Sequence, residues 1–498
     1  MTAWPNRMPT EADGRRRPRA DNTDRSLIAV AVLASFVAFL DGSVVNLALP
    51  AISREFGAGL ALQQWVVDGY LLTLGALILV AGAVSDQFGR LAVLRTGLVV
   101  FAVSSVLCAF APTGWVLIAA RCLQGVGAAF LVPSSLAMIN ARFSGADQAR
   151  AIGTWTAWTG TAFVIGPLLG GVLVDALSWR WIFGVNIVPL AVTLYLTTKL
   201  SGDRSAAPSG HAGWRQVDVV GAVLNAAGLS GVVYALIEGQ RLGFSHPAVV
   251  VSLVAGLACL GAFPWWERTT PQPMMPLQIF RARNFAVGNL ATVFLYAGVS
   301  LGLLIVALFL QETAGLTATQ AGLATLPVPV LSFLLAPRFG ALAGRYGPRL
   351  FMAVGPMVAA LGYVLMATTR EPFDLWTQML PGLVVFGLGL TITVSPLTAA
   401  VLAAVQRAQS GIGSAINNAI SRIAGLIAIA FTGVIVGSTI DFDGFRRGAL
   451  VTAGLFALAG AVSALGIRNA LGDVSQVEAG ALARCSDRAT PPPARVVR

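Results

Sequence analysis

The sequence predicts an all-α integral membrane protein with fourteen transmembrane helices, in groups of six, two and six. The chain is 56% hydrophobic and only 11% charged, with a mean hydropathy of +0.77, whereas soluble domains carry roughly 25% charged residues. Its apolar segments are long enough to cross a bilayer as helices, which takes about 20 residues. The alternating pattern that is typical of a membrane β-barrel is absent from the sequence. These observations indicate a polytopic helical membrane protein.

The predicted spans follow one another along the chain, and two longer polar segments interrupt them. The limits of the spans are 26–50, 62–83, 92–112, 115–138, 150–175, 181–199, 218–238, 247–266, 287–311, 320–341, 349–368, 374–404, 411–436 and 447–468. The predicted organisation is therefore a disordered tail (1–25), a six-helix bundle (26–199), a linker (200–217), two extra helices (218–266), a second linker (267–286), a second six-helix bundle (287–468) and a tail (469–498).

The basic charges predict the orientation of the chain. The net charge is +11, which by itself is compatible with nucleic-acid binding. If the N-terminus is cytoplasmic, however, the predicted spans place 25 of the 33 lysines and arginines on the cytoplasmic side, six on the other side and two within helices. This is the positive-inside distribution of a membrane protein. We therefore expect a multi-pass protein of the cytoplasmic (inner) membrane, with both termini in the cytoplasm and no nucleic-acid partner.

Three ionisable residues interrupt the apolar spans of the first bundle. Asp41, Asp68 and Arg121 lie in the first, second and fourth spans. At about 1.5 Å per residue, all three fall in the outer half of the membrane. Ionisable groups inside a membrane are costly and usually functional, and a buried arginine needs a carboxylate. We predict that they form one layer in which one acid takes up a proton; the structural alternative is that an aspartate simply neutralises Arg121.

Two further motifs carry glycine and proline at places where helices bend or turn. The fifth span contains Gly166, Pro167, Gly170 and Gly171, which predict a bent and closely packed helix. Such a helix either suits a rocking motion between bundles or serves plain packing. The loop after the second span contains four residues that we predict to act in gating at the cytoplasmic mouth, or to form an ordinary solvated loop: Gly82, Asp86, Gly89 and Arg90. A weak echo at 340–349 suggests an internal repeat.

Taken together, these motifs resemble the major facilitator superfamily, and within it the 14-helix drug:proton antiporter group of bacterial multidrug and antibiotic exporters. The resemblance covers residues 26 to about 468 and includes the run 41–50, the loop 82–90, Arg121 with Gly125, the glycine–proline motif of the fifth span, and the segment 179–189 with Asn186. It departs from the group at Gln87 and Leu91, where a basic residue is frequent, and at Gly344, which stands where the first loop has Asp86.

The resemblance implies a secondary antiporter that exports lipophilic drugs, antibiotics or toxic metabolites by alternating access, with the proton gradient as energy source and no cofactor. No phosphate-binding loop of the GxxxxGK type is present in the sequence. The alternatives are a narrow exporter of one endogenous compound, a proton-coupled uptake symporter and, in a different class, a non-transporting membrane receptor or scaffold. We expect a monomer.

Several polar and aromatic side chains are candidates for the substrate cavity. We predict that it is lined by Asn46, Tyr70, Gln124, Tyr296 and Gln311. The two carboxylates favour a neutral or cationic lipophilic substrate, although Arg121 offsets one of them. Arg422, beside Asn417 and Asn418, either faces the cavity or extends toward the cytoplasmic surface of the membrane. The chain has two histidines and four cysteines, whose positions predict neither a catalytic cluster nor a metal site. An enzyme is therefore not expected.

Overall fold

The computed structural model describes residues 22–200, 218–406, 409–437 and 439–469. The predicted tails and the first linker therefore lie almost entirely outside the described residues. Seventeen α-helices make up the described part of the chain: α1 (Asn22–Phe56), α2 (Leu60–Phe88), α3 (Arg90–Ala109), α4 (Gly114–Arg142), α5 (Gly145–Ala176), α6 (Trp181–Gly184), α7 (Ile187–Thr198), α8 (Val219–Leu242), α9 (Pro247–Thr269), α10 (Arg283–Leu308), α11 (Ala318–Thr325), α12 (Pro327–Tyr346), α13 (Pro348–Met366), α14 (Leu380–Ala403), α15 (Ser410–Ala430), α16 (Thr432–Val436) and α17 (Phe442–Gly466).

These helices form fourteen segments that are long and apolar enough to cross a membrane. The prediction of an all-α protein with fourteen spans is confirmed, and each predicted span overlaps one observed segment. The last span begins five residues earlier than predicted, at Phe442, because Asp441 caps the helix by accepting a hydrogen bond from the backbone of Gly444. The predicted thirteenth span is two helices, since α15 ends at Ala430 and α16 follows.

The helices pack as two groups and a pair. Helices α1–α7 contact one another and form what we call the first half, and α10–α17 form the second half. Helices α8 and α9 pack against each other, and α8 also contacts α2 and α15. The extra pair therefore covers one of the two seams between the halves, the one between α2 and α15. The other seam lies between α5 of the first half and α11 and α12 of the second.

The two faces of the bundle are named by helix α1. The near side is the face at which α1 begins, and the far side is the face at which it ends. The loop between α2 and α3 and the loop between α12 and α13 both lie on the near side. Each turns on a glycine with a positive φ, +92° at Gly89 and +85° at Gly347, a backbone region that other residues rarely adopt. This shared geometry agrees with the internal repeat that the sequence suggests.

Candidate functional site

A buried ion pair lies at the centre of the first half. Nη1 of Arg121, on α4, is 2.5 Å from Oδ2 of Asp41, on α1. Both side chains are 0% exposed. Removing two charges from water is costly, and the cost is offset only if the pair is well aligned and its remaining polar atoms are bonded. The structure therefore confirms that Arg121 has a carboxylate partner and identifies it as Asp41.

Two amides complete the hydrogen bonding of the Asp41 carboxylate. Gln124 Nε2 and Asn186 Nδ2 donate to Oδ1 at 3.0 and 2.9 Å. Gln124 also accepts from Arg121 Nη1 at 2.6 Å and donates to Ser105 Oγ at 2.9 Å. Asp41 thus receives hydrogen bonds from three nitrogen atoms. An ionised carboxylate only accepts hydrogen bonds, and this environment, with three donors and no acceptor, matches that form.

The guanidinium of Arg121 is held by backbone and aromatic contacts as well. Its Nε donates to the carbonyl of Val66 at 3.0 Å. Its Cζ lies 4.4 Å from the ring centre of Tyr70 and 5.6 Å from that of Phe183, within the range of cation–π attraction. Its Nη2 has no hydrogen-bond partner among the described residues. Arg121 therefore has one free donor that a rearranged Asp41 could use.

Tyr70 separates this network from a cavity between the two halves. Its ring contacts Arg121, and its hydroxyl donates to the carbonyl of Ala38 at 3.3 Å. The cavity is small in this state, with a volume of about 10 Å³, which is room for about one water molecule. Its lining comes from α1, α2 and α4 of the first half and α15 of the second: Ala38, Phe39, Tyr70, Leu74, Ile78, Ala128, Val132, Asn418 and Arg422. Most of this surface is apolar, and the polar groups come mainly from α15.

Arg422 faces this cavity, which decides between the two orientations that the sequence left open. Its Cζ lies 5.8 Å from the ring centre of Phe39, across the interface between the halves. Its Nε is buried and has no hydrogen-bond partner among the described residues. The neighbouring Asn417 instead bonds within the second half, to Asn289 Oδ1 at 3.0 Å and Thr292 Oγ1 at 2.9 Å.

Asp68 does not join the ion pair, so the prediction that the three charges interact with one another is wrong for Asp68. On α2, Gly69 and Thr73 face α4, where Thr73 Oγ1 donates to the carbonyl of Cys122 at 2.7 Å. Asp68 instead shares a face with Gln64 and Leu72, which contact α15 and α8. Both of its carboxylate oxygens are buried without a hydrogen-bond partner among the described residues. The prediction had the depth right but not the direction around the helix axis.

The cavity consequently does not have the charge that the sequence predicts. The preference for cations rested on Asp41 and Asp68. Asp41 is paired with Arg121, and Asp68 lies on the α15 and α8 face of α2. The charged residue that lines the cavity is Arg422. A positive charge therefore stands where an excess of negative charge was expected.

The glycine–proline motif of α5 lies between α1 and the second half. A Cβ on Gly166 would lie 1.8 Å from Ser43 Oγ of α1. A Cβ on Gly171 would lie 2.6 Å from the carbonyl oxygen of Ala318 and from Cα of Thr319, both in α11. A Cβ on Gly322 of α11 would in turn lie 2.4 Å from the carbonyl oxygen of Pro167. Only glycine permits these approaches, so the motif is a contact between the halves as well as a packing feature.

Cβ positions at Gly170 are less crowded, at 3.2 Å from Val44 of α1. Hydrogen bonds also join the two halves on the far side. Asp175, at the end of α5, accepts from the backbone nitrogens of Ala318 and Thr319 at 3.1 and 2.7 Å. Gln63 Nε2 donates to Glu312 Oε1 at 2.6 Å. The far mouth is therefore tied across both halves.

The near-side loop has the predicted turn. Gly82 lies in α2, Gly89 forms the turn with a positive φ, and Arg90 begins α3. The side chain of Asp86 lies outside the described part of the structure. The gating role of these four residues stays a prediction.

Of the five predicted cavity residues, one lines the cavity in this structure. Tyr70 lines the cavity, and Gln124 belongs to the Asp41 network. Asn46 and Tyr296 are half-buried and are not among the lining residues. Gln311 lies in the π-helical turn Phe309–Thr313 on the far side, where its Nε2 donates to the carbonyl of Ala307 at 3.2 Å. It is not among the lining residues, and its place in the substrate cavity stays a prediction.

Two contributors to the site had no predicted role. Asn186 lies between α6 and α7, and Ser105 lies in α3. A buried amide or hydroxyl is common in apolar helices, so neither stands out in the sequence as a charge does. The segment 179–189 was the only signal for Asn186. In the described part of the chain, no group of three or more histidine, cysteine or acidic side chains is placed to hold a metal ion.

The fold and the buried charges define a polytopic membrane transporter, and comparison with known proteins specifies the family. The sequence profile of the Major Facilitator Superfamily matches residues 31–429. The chain belongs to this superfamily.

Three curated relatives carry names of resistance proteins. Multidrug resistance protein Stp of Mycobacterium tuberculosis is 34% identical over 81% of this chain and 74% of its own length. Methylenomycin A resistance protein of Bacillus subtilis is 32% identical over 83% and 88%. Puromycin resistance protein pur8 of Streptomyces alboniger is 33% identical over 81% and 80%. The chain is thus a multi-pass transporter similar to multidrug and antibiotic resistance proteins, rather than an enzyme.

Solved structures support the fold. A crystal structure of the peptide transporter POT in complex with sulfate has a TM-score of 0.64 at 15% identity, covering 88% of this chain and 93% of that one. An auto-inhibited POT family peptide transporter has a TM-score of 0.65 at 16% identity, covering 90% and 98%. At this level of identity the likeness concerns the fold alone.

Proposed function

We propose that the protein is a proton-coupled antiporter that exports lipophilic small molecules, drugs, antibiotics or toxic metabolites, across the cytoplasmic membrane. The observation that carries this proposal is the Asp41 carboxylate, which is fully buried, bonded by three nitrogen donors and separated from the cavity by a single ring, that of Tyr70. The names of the curated relatives support the export of drugs.

The near side is cytoplasmic in this proposal. The spans predicted from the sequence assign 25 of the 33 lysines and arginines to this side, and cytoplasmic loops are the ones enriched in these residues. The far side, where Asp175 and Gln63 join the halves, then faces outward. The structure accordingly represents a state in which the outer mouth is closed.

The ion pair suggests how protons and substrate are coupled. In the state that is open outward, a proton binds Asp41, which neutralises the carboxylate and weakens its attraction to Arg121. Arg121 then turns its charge elsewhere, and the contacts that it makes with the Tyr70 ring and the Val66 carbonyl change. Because Tyr70 lines the cavity, this change reaches the substrate, which leaves outward. After the halves rock, Asp41 releases the proton to the cytoplasm and the cavity accepts the next substrate.

The test is efflux from cells that lack their own pumps, measured with a panel of fluorescent dyes, with and without an uncoupler. We expect Asp41→Asn to abolish uncoupler-sensitive efflux. Asp24→Asn is a matched control, because Asp24 also joins α1 to an arginine of α4, Arg142, at 2.8 Å, but at an exposed position. Full proton-driven efflux by Asp41→Asn would contradict the assignment of Asp41.

A narrow exporter of one endogenous compound is the second candidate. Two of the curated relatives, Methylenomycin A resistance protein and Puromycin resistance protein pur8, are named for a single antibiotic, which favours this candidate. This reading predicts efflux of few or none of the dyes despite normal membrane expression. A receptor or scaffold would show no flux of any compound, and it would leave the buried Asp41–Arg121 pair without a role.

A further inference from the structure

The cavity between the halves contains a cation without a counter-charge. Arg422 lines it from α15, and no carboxylate lies within 4 Å of its guanidinium among the described residues. Its Nε is buried and makes no hydrogen bond to the described residues. A guanidinium in this position is costly unless water or a bound anion satisfies it.

The neighbouring charges do not offset it. Asp41 receives its hydrogen bonds from Arg121, Gln124 and Asn186, so its negative charge is neutralised within the first half. Asp68 makes no contact with Arg422 and lies on the face of α2 that meets α15 and α8 farther toward the far side. The cavity therefore has a net positive character in this state.

The cavity holds about one water molecule in this state, and its remaining lining determines which anion would fit when the halves separate to admit it. Phe39 and Tyr70 present aromatic rings, and Leu74, Ile78 and Val132 present aliphatic surface. A planar guanidinium binds carboxylate-like groups through two parallel hydrogen bonds. The cavity thus combines one site for a negative group with an apolar wall.

We propose that the substrates of this transporter are lipophilic organic anions, in which a carboxylate or phenolate is attached to an aromatic or alicyclic skeleton, and that Arg422 binds the negative group. This inference rests on the proposed export function and specifies the substrate class for the same cavity. The membrane potential, negative inside, drives an anion outward, so the class also suits the proposed direction of transport.

The first experiment measures binding to the purified full-length protein in detergent by fluorescence polarisation. The probes are fluorescein, an anionic xanthene, and rhodamine 123, a cationic xanthene of similar size. We expect fluorescein to bind more tightly than rhodamine 123, and Arg422→Gln to weaken fluorescein binding by about 10- to 100-fold, as the loss of a charge-assisted contact predicts. Binding of rhodamine 123 alone, or of neither dye, would overturn the inference.

Two variants separate a contact with substrate from a structural role. Arg422→Lys keeps the charge and should retain part of the fluorescein binding. Arg446→Gln removes the same charge from an exposed position of the second half and should bind fluorescein like the wild type. Equal loss of both dyes in Arg422→Gln would indicate a structural role and would contradict the proposal.

A second alternative explanation for the unpaired guanidinium is that Arg422 pairs with Asp68 in another conformation. The variant that combines Arg422→Gln with Asp68→Asn tests this possibility, because it removes both charges. We expect the double variant to bind fluorescein as weakly as Arg422→Gln does. Recovery of wild-type binding would identify Asp68 as the partner of Arg422 and would overturn the inference.

Efflux from cells distinguishes this inference from the proposed function. If the wild type exports rhodamine 123 alone, in an uncoupler-sensitive manner, the antiporter stands and the substrate class is wrong. If the protein binds fluorescein through Arg422 but shows no uncoupler-sensitive efflux of either dye, the substrate class stands and proton-coupled antiport is wrong.

Discussion

Each half of the molecule has a central arginine, and the two arginines lie in opposite environments. In the first half, Arg121 is fully buried and has a carboxylate partner, Asp41, at 2.5 Å. In the second half, Arg422 is partly exposed to the cavity and has no carboxylate partner among the described residues. The polar residues near it, such as Asn289 and Asn417, form a neutral network with each other.

Because of this difference, the two arginines can respond to different events, the binding of a proton and the binding of a ligand. A saturated ion pair can respond to a proton, because protonation of the acid breaks the balance of charge and leaves the arginine unpaired. An unpaired arginine beside an apolar wall can respond to a ligand. In the proposed mechanism, the first half would therefore transfer protons and the second half would bind substrate, with Tyr70 of the first half between the two sites.

The largest expected effect comes from breaking the ion pair. We expect Arg121→Gln to leave the Asp41 carboxylate buried without its cation and to lower the free energy of unfolding by about 3–5 kcal/mol, with complete loss of transport. Arg121→Lys should not restore transport, because the single nitrogen of lysine cannot occupy the positions of both Nε, which bonds the Val66 carbonyl, and Nη1, which bonds Asp41 and Gln124. The measurement is the midpoint of thermal unfolding in detergent, together with efflux.

The comparison of the halves is sharpened by the same measurement on Arg422→Gln. This variant removes a charge that has no partner, so its thermal midpoint should equal or exceed that of the wild type. If Arg121→Gln and Arg422→Gln were equally destabilised, the contrast between the halves would not hold.

The second effect concerns the contact through which the halves meet. In Gly171→Ala, the added methyl group would approach backbone atoms of Ala318 and Thr319 to 2.6 Å. Backbone atoms cannot change rotamer to avoid the clash as a side chain can, so α5 and α11 must separate. We expect this separation to cost about 1–3 kcal/mol of stability. We expect a shift toward the state that is open on the far side, measured as longer distances between spin labels on the far ends of α5 and α11. Gly160→Ala is the control on the same helix, since nothing lies within 4 Å of its Cβ position; an equal shift there would contradict the explanation.

The outcome for these residues shows what a sequence can and cannot predict. Spans are predictable because crossing a bilayer requires about 20 apolar residues. That Arg121 pairs with a carboxylate is predictable because buried charges are rare and need partners, although the sequence did not say which aspartate it would be. The direction of a side chain around its helix depends on which neighbour packs where, and the sequence does not contain that information directly. Asp68 was misplaced for this reason, and the orientation of Arg422 stayed open.

The third effect tests the neutral network of the second half. Asn417→Ala removes the donor to Asn289 Oδ1 and Thr292 Oγ1. A neutral hydrogen bond contributes about 0.5–1.5 kcal/mol, so the thermal midpoint should fall by much less than in Arg121→Gln. Transport should be lowered but retained, because no charge is left unpaired. A loss of stability as large as that of Arg121→Gln would mean that the second half depends on its polar network as strongly as the first half does.

The smallest effect comes from two aspartates that cap helices on the far side. Asp175 of the first half caps α11 of the second half, whereas Asp374 bonds the backbone nitrogens of Trp376 and Thr377 within its own half. The hydroxyl of Thr377 holds the pKa of Asp374 below its ordinary value, so both variants should remove a charge at neutral pH. The carboxylate of Asp175 at the N-terminus of α11 contributes about 0.3–1 kcal/mol.

We therefore expect Asp175→Asn and Asp374→Asn to lower the thermal midpoint by similar small amounts, since each loses one cap. Only Asp175→Asn should also shift the spin-label distances between α5 and α11 toward the open far side, because only its cap crosses between the halves. The shift should be smaller than that of Gly171→Ala, as an exposed cap is worth less than backbone separation. If Asp374→Asn produced the same shift, the closure of the far mouth would depend on helix capping within the second half rather than on the contact between halves.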